Sequence, residues 1–97
     1  MRDKSQIKKT LLAQKDTLLA EYGVREIGLF GSLAKGIASP TSDIDILVDF
    51  YKSVDLFTFI DLKNRLSELL DAEVDLVMKT GLKPRIGERI LSEVEYI

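Results

Sequence analysis

Cysteine and histidine are both missing from these 97 residues, and so is tryptophan. Without cysteine there is no disulfide framework, no thiolate metal site and no cysteine nucleophile. Without histidine the commonest general base and the commonest transition-metal ligand are gone. Any metal must therefore be held by oxygen, which favours magnesium, manganese or calcium. Proline occurs twice and glycine six times, too sparsely for a low-complexity or disordered chain. No apolar run approaches the roughly 18 residues that span a bilayer. The N-terminus lacks the apolar core of a signal peptide, so the expected setting is the cytoplasm with no membrane contact. An excess of basic charge is absent too: 14 basic residues face 16 acidic ones, for a net charge of -2. A nucleic-acid binder usually displaces condensed counterions with a basic face, so direct nucleic-acid binding is not expected.

What is present is an ordinary globular composition, 45% hydrophobic and 31% charged. The length corresponds to one domain spanning 1–97. Such a domain buries roughly 60–65% of its unfolded surface, enough for one core. Little is left for a separate recognition module, so a large substrate would have to complete the site itself.

Apolar periodicity predicts a helix over about 4–22, with Ile7, Leu11, Leu18 and the neighbouring Leu12 and Leu19 on its apolar side. Asp3 and Gln6 suit its start and Gly23 its end. Residues 25–30 read as a strand stopping at Gly31. A short helix is expected from Ser32 to Lys35, then a loop through Ser42. Residues 43–50 alternate as a strand, with Ile44, Ile46 and Val48 opposite Asp43, Asp45, Leu47 and Asp49. A helix follows over about 54–70, its buried stripe expected to hold Leu56, Phe59, Ile60, Leu66, Leu69 and Leu70. A third strand covers 73–78. Pro84 opens a last helix with Ile86, Ile90, Leu91 and Val94 on its apolar face. The final residues, 94–97, are expected to pack on the domain. The order α-β-α-β-α-β-α is that of an α/β (α+β) domain, a small mixed sheet flanked by helices.

Aspartate is depleted in strands, because its side chain competes for backbone hydrogen bonds. Asp43 and Asp45 nonetheless sit two apart on one strand face, with Cα atoms roughly 6.5–7 Å apart. Without a cation their charges repel, and one would tend to stay protonated; a divalent ion converts that liability into a site. Asp75, flanked by the core-facing Val74 and Leu76, can complete a three-carboxylate cluster if its strand lies beside the first. Three carboxylates can hold two magnesium ions for displacement at phosphorus. Asp49 shares the face but lies at the strand's far end, where a solvated role is expected. Gly31-Ser32 follows a strand and precedes a helix start, where backbone N–H groups and a hydroxyl attract phosphate oxygens; Lys35 can add positive charge.

Gly31-Ser32, ten intervening residues and Asp43-Ile44-Asp45 together resemble the signature of the DNA polymerase β-like nucleotidyltransferase superfamily. The short chain, Glu73-Val74-Asp75-Leu76-Val77 and the following Leu82-Lys83-Pro84…Ile86…Glu88-Arg89-Ile90-Leu91 resemble the minimal nucleotidyltransferase antitoxins, the MntA-like family. The likeness runs from about Ile27 to the C-terminus. It implies a polymerase β-like palm in which Gly31, Ser32 and Lys35 bind the nucleotide. It also implies that Asp43, Asp45 and Asp75 are catalytic and bind two Mg2+ ions, with Mn2+ as a substitute. The implied reaction moves AMP from ATP to a hydroxyl, a tyrosine above all, of a HEPN-domain toxin, with homo- or hetero-oligomers possible. Family members often carry arginine directly after Gly-Ser and again two residues on; here stand Leu33 and Lys35. Losing the first guanidinium removes a bidentate phosphate contact and points to weaker catalysis. Small-molecule nucleotidylation, as of an aminoglycoside, and a binding-only antitoxin are the alternatives. The short chain speaks against the first, and the whole carboxylate set against the second.

Overall fold

The computed structural model describes residues 3–31 and 43–97. Helix α1 (Lys4–Tyr22) leads into strand β1 (Val24–Phe30). Strand β2 (Ile44–Phe50), helix α2 (Leu56–Leu70) and strand β3 (Val74–Met78) follow. A 3-10 turn (Lys79–Gly81), helix α3 (Pro84–Glu93) and the short strand β4 (Glu95–Tyr96) complete the chain. The expected short helix from Ser32 and the loop after it lie outside the described residues.

Local chemistry sets the helix ends. The Asp3 carboxylate accepts from the Gln6 N–H, and Gly23 closes α1 in the left-handed region at φ 71°; both are standard solutions to unpaired end groups. Asp55 caps α2 by accepting from the Thr58 N–H.

The strands form one mixed sheet in the order β3-β2-β1-β4. β1 runs antiparallel to β2 and to β4, whereas β2 and β3 are parallel. The parallel pair needs a crossover, which α2 supplies. α1 and α2 pack on one sheet face, where Ile7, Leu11 and Leu18 meet Ile27, Leu29, Ile44, Ile46, Val48 and the α2 stripe Leu62, Leu66 and Leu70. Each fully buried side chain of this kind contributes roughly 1.5–3 kcal/mol.

Several side chains assigned to the core by periodicity stand outside it. Leu12 is 60% exposed, Leu56 68% and Ile86 57%; Leu19, Ile60 and Leu91 are exposed as well. The apolar arcs of these helices are wider than the faces the sheet can cover, so each arc keeps only its central residues. Leu62, omitted from the expected stripe, is fully buried one turn before Leu66.

β4 was not expected as a strand. It exists because residue 28 is glycine: a Cβ there would lie 2.7 Å from Val94 Cγ2 and 3.0 Å from the Glu95 carbonyl oxygen. The C-terminal residues can therefore lie against β1, and the Ile97 N–H donates to the Ile27 carbonyl at 2.9 Å.

Candidate active site

The face of β2 turned away from α1 and α2 carries the acids. Alternation turns Ile44, Ile46 and Val48 toward the helices and Asp45, Leu47 and Asp49 the other way. In the parallel ladder Asp45 stands directly beside Asp75, flanked by the pairs Ile44↔Val74 and Ile46↔Leu76. The core-facing residues thus lock the register, and a slip of one would send Asp75 to the wrong face. The contingent expectation that the third strand adjoins the second is met.

On its other side β2 pairs with β1, and Phe30 opposes Asp45. The next residue, Gly31, has φ 73°, a conformation that side chains with a Cβ seldom adopt. A Cβ on Gly31 would come within 3.0 Å of Asp45 Cγ and closer still to Oδ2. Gly31, Asp45 and Asp75 therefore adjoin one another across three neighbouring strands.

The electrostatics follow from this crowding. Burial pushes the Asp45 carboxyl up from 3.8 to about 6, helped by the charges of Asp75 and Asp43 and by a hydrogen bond with Asp75. Asp43 is exposed just before β2, and its charge acts on Asp45 less than that of Asp75 does. Among the described residues no group of three carboxylates is already arranged to hold a metal ion. The arrangement is a close pair with a third acid nearby. A half-buried carboxyl that resists ionisation among like charges, all with oxygen donors, suits a hard divalent cation.

Ser32 and Lys35, the other expected nucleotide contacts, lie outside the described residues, as does Leu33. Asp49 does not join the acids and is not solvated. It is only 6% exposed and is ion-paired with Arg25, whose Nε donates at 3.1 Å. The expectation of a solvated residue overlooked that Arg25, near the start of β1, comes to lie beside the end of an antiparallel β2. The contact of Gly31 with Asp45 also escaped the sequence, where glycine was read only for its approach to phosphate. No local signal reports a contact made across two strands.

The chain resembles known proteins in both sequence and fold. The family model described as a nucleotidyltransferase domain matches residues 11–97. The protein adenylyltransferase MntA of Thermococcus cleftensis is 48% identical over 95% of this chain and 93% of its own. A solved structure described as a candidate minimal nucleotidyltransferase superposes with a TM-score of 0.77 at 33% identity, covering 97% of this chain and 95% of that one. A toxin-antitoxin crystal structure with AMP-PNP superposes with a TM-score of 0.73 at 27% identity, over 87% of this chain and 69% of that one. With a mixed sheet, paired strand aspartates and a left-handed glycine in these positions, the chain belongs to the nucleotidyltransferase domain family and is a minimal nucleotidyltransferase.

Proposed function

We propose that this enzyme transfers AMP from ATP, in the presence of Mg2+, to a tyrosine hydroxyl of a HEPN-type toxin and so acts as that toxin's antitoxin. The observation that carries the reading is the side-by-side pairing of Asp45 with Asp75, pressed against Gly31. Two acids held together at the cost of a raised proton affinity are what a divalent cation would relieve. The likeness to MntA and to a toxin-antitoxin assembly that contains an ATP analogue supports the choice of nucleotide and partner.

In this reading Asp43, Asp45 and Asp75 hold the metal, and Gly31, Ser32 and Lys35 bind the triphosphate. Bound divalent ions would polarise the α-phosphate and favour the ionised acceptor hydroxyl. The chain's own part is positional. The β2-β3 ladder fixes the two carboxylates side by side, and the missing side chain of Gly31 leaves room for the Asp45 carboxylate. Asp75, which is exposed, would take the proton from the incoming hydroxyl. The hydroxyl oxygen then bonds to the α-phosphorus while the bond to pyrophosphate breaks. Among the described residues there is no cysteine or histidine to form a covalent intermediate, and a direct transfer needs none.

The test is incubation with α-labelled ATP, Mg2+ and the HEPN-type toxin proposed as the acceptor. Label on the toxin, lost with Asp45→Asn and with Tyr→Phe at the acceptor, is expected. Label on a small molecule, or a stable complex that never becomes labelled, overturns the reading.

A further inference from the structure

At the β4 edge of the sheet, far from the α2 crossover, lies a groove of about 420 Å³ between the first half of α1 and the C-terminal residues. Its floor is apolar: Leu12, 60% exposed, with Tyr96 and Ile97. Its rim is basic, with Lys4, Lys8 and Lys9 projecting from successive turns of α1. Lys4 is engaged by Glu95 at 3.0 Å. Among the described residues neither Lys8 nor Lys9 has an acidic partner. In a chain of net charge -2, this is a local concentration of unpaired positive charge beside exposed apolar surface.

We propose that this groove docks an acidic segment of the acceptor protein bearing one or two apolar side chains, and that it sets affinity for that protein rather than for ATP. The inference rests on the reaction proposed above. Two observations select the occupant. The first is charge complementarity: two free cations flanking an apolar floor match carboxylates flanking an apolar residue, whereas a nucleic acid needs a broader basic face. The second is placement. Tyr96 pairs with Gly28, two residues along β1 from Phe30, which pairs with Asp45. The Cα atoms of Tyr96 and Asp45 are about 12 Å apart, given a strand spacing of ~4.8 Å and a rise of ~3.4 Å per residue. A segment that leaves the groove and rounds the β4 edge would have to span at least this distance, roughly four residues of extended chain, to bring an acceptor hydroxyl to the carboxylate pair.

The variant K8E/K9E changes two surface side chains and leaves the core untouched, which circular dichroism and thermal unfolding will verify. Its affinity for the HEPN-type protein, measured by titration calorimetry, is expected to fall at least tenfold. KM for that protein should rise in proportion, with kcat and the KM for ATP unchanged. Leu12→Asp should act likewise, and raising the salt concentration should weaken the wild type more than K8E/K9E. Affinity within twofold of the wild type for both variants overturns the proposal. So does retained toxin affinity with altered self-association, which would give the groove to a second copy, or with lost retention of an RNA oligonucleotide. If the wild type binds the toxin and labels nothing, the transfer reading fails, while the affinity comparison still decides the groove. If it binds no toxin, both fail.

Discussion

Gly31 and Asp45 compete for the same space: a Cβ on Gly31 would lie 3.0 Å from Asp45 Cγ and nearer still to its carboxylate oxygen. The glycine is required twice over, once for its φ of 73° and once for the room it leaves to the acid. This ties the two halves of the family signature together in space. The residue that follows β1 and the strand that carries the acids cannot vary independently.

Gly31→Ala therefore tests the site without removing any charged group. The methyl must push the Asp45 carboxyl from its place beside Asp75, and a misplacement of about 1 Å costs on the order of 100-fold in rate. The left-handed backbone adds a stability cost of roughly 1–2 kcal/mol. Steady-state AMP transfer should fall about 100-fold while urea unfolding stays cooperative and only modestly shifted. Wild-type turnover in a folded Gly31→Ala protein would mean that Asp45 does not need this position.

Asp45 itself links the site to pH. Its carboxyl is pushed up to about 6 in the folded chain, first by burial and then by Asp75 and Asp43, against an ordinary value near 3.9 in an unfolded one. The folded state thus holds the proton more tightly. The stabilisation from protonated Asp45 is fully present below about pH 4 and is lost as pH rises through about 6. With a chelator present, Asp45→Asn should remove that loss and melt above the wild type at pH 7.5, although it transfers no AMP. Adding Mg2+ should raise the wild-type Tm at pH 7.5 and leave Asp45→Asn unmoved. Melting curves from pH 4 to 8, with and without Mg2+, check all three. A wild type that melts at a constant temperature across that range would contradict the raised proton affinity.

The sequence disclosed the carboxylate pair because period-two alternation is strict: once Ile44, Ile46 and Val48 face the core, Asp45 has no choice of side. Asp75 was legible for the same reason, with Val74 and Leu76 as its markers. What alternation cannot report is which strands are neighbours, so the Asp45–Asp75 pairing stayed conditional until the parallel ladder was seen. Helix faces were read too generously. Leu56 and Ile86 fit the apolar period yet are exposed, because period locates an arc and not how much of it a three- or four-strand sheet covers. β4 went unread because its cause is Gly28, whose missing side chain matters only once Val94 is found beside it.

That dependence makes Gly28→Ala informative. The added methyl would meet Val94 Cγ2 at 2.7 Å and the Glu95 carbonyl oxygen at 3.0 Å, and the backbone atom cannot swing aside. Overpacking of this kind costs about 1–3 kcal/mol. The relief available is to lift β4 off β1, which breaks the bond from the Ile97 N–H to Ile27. Hydrogen exchange at Ile97 should accelerate in Gly28→Ala far more than exchange in β2 or β3. Equal acceleration throughout the sheet would indicate global destabilisation and no local release of the strand.

Arg25 and Asp49 present the converse case, a charged pair on the same sheet face as the site that takes no part in it. Asp49 is 6% exposed and accepts from Arg25 Nε at 3.1 Å and from the Phe50 N–H at 3.1 Å. The hydrogen bond and charge of Asp49 raise the proton affinity of Arg25, which therefore keeps its charge. Removing Arg25 strands a buried carboxylate, which costs more than the pair itself contributes. Arg25→Met should therefore lower the Tm, and adding Asp49→Asn to it should recover much of the loss, since the amide leaves no unpaired charge behind. Because Asp49 lies four residues along β2 from Asp45, roughly 13 Å away at the strand rise, AMP transfer by the double variant below its Tm should stay within about threefold of wild type, whereas a structural role shared with the site would depress it further. Thermal unfolding of the two single variants and the double variant closes the cycle. If Arg25→Met alone melts with the wild type, Asp49 must already be reached by water, and the ion pair has no part in holding the end of β2.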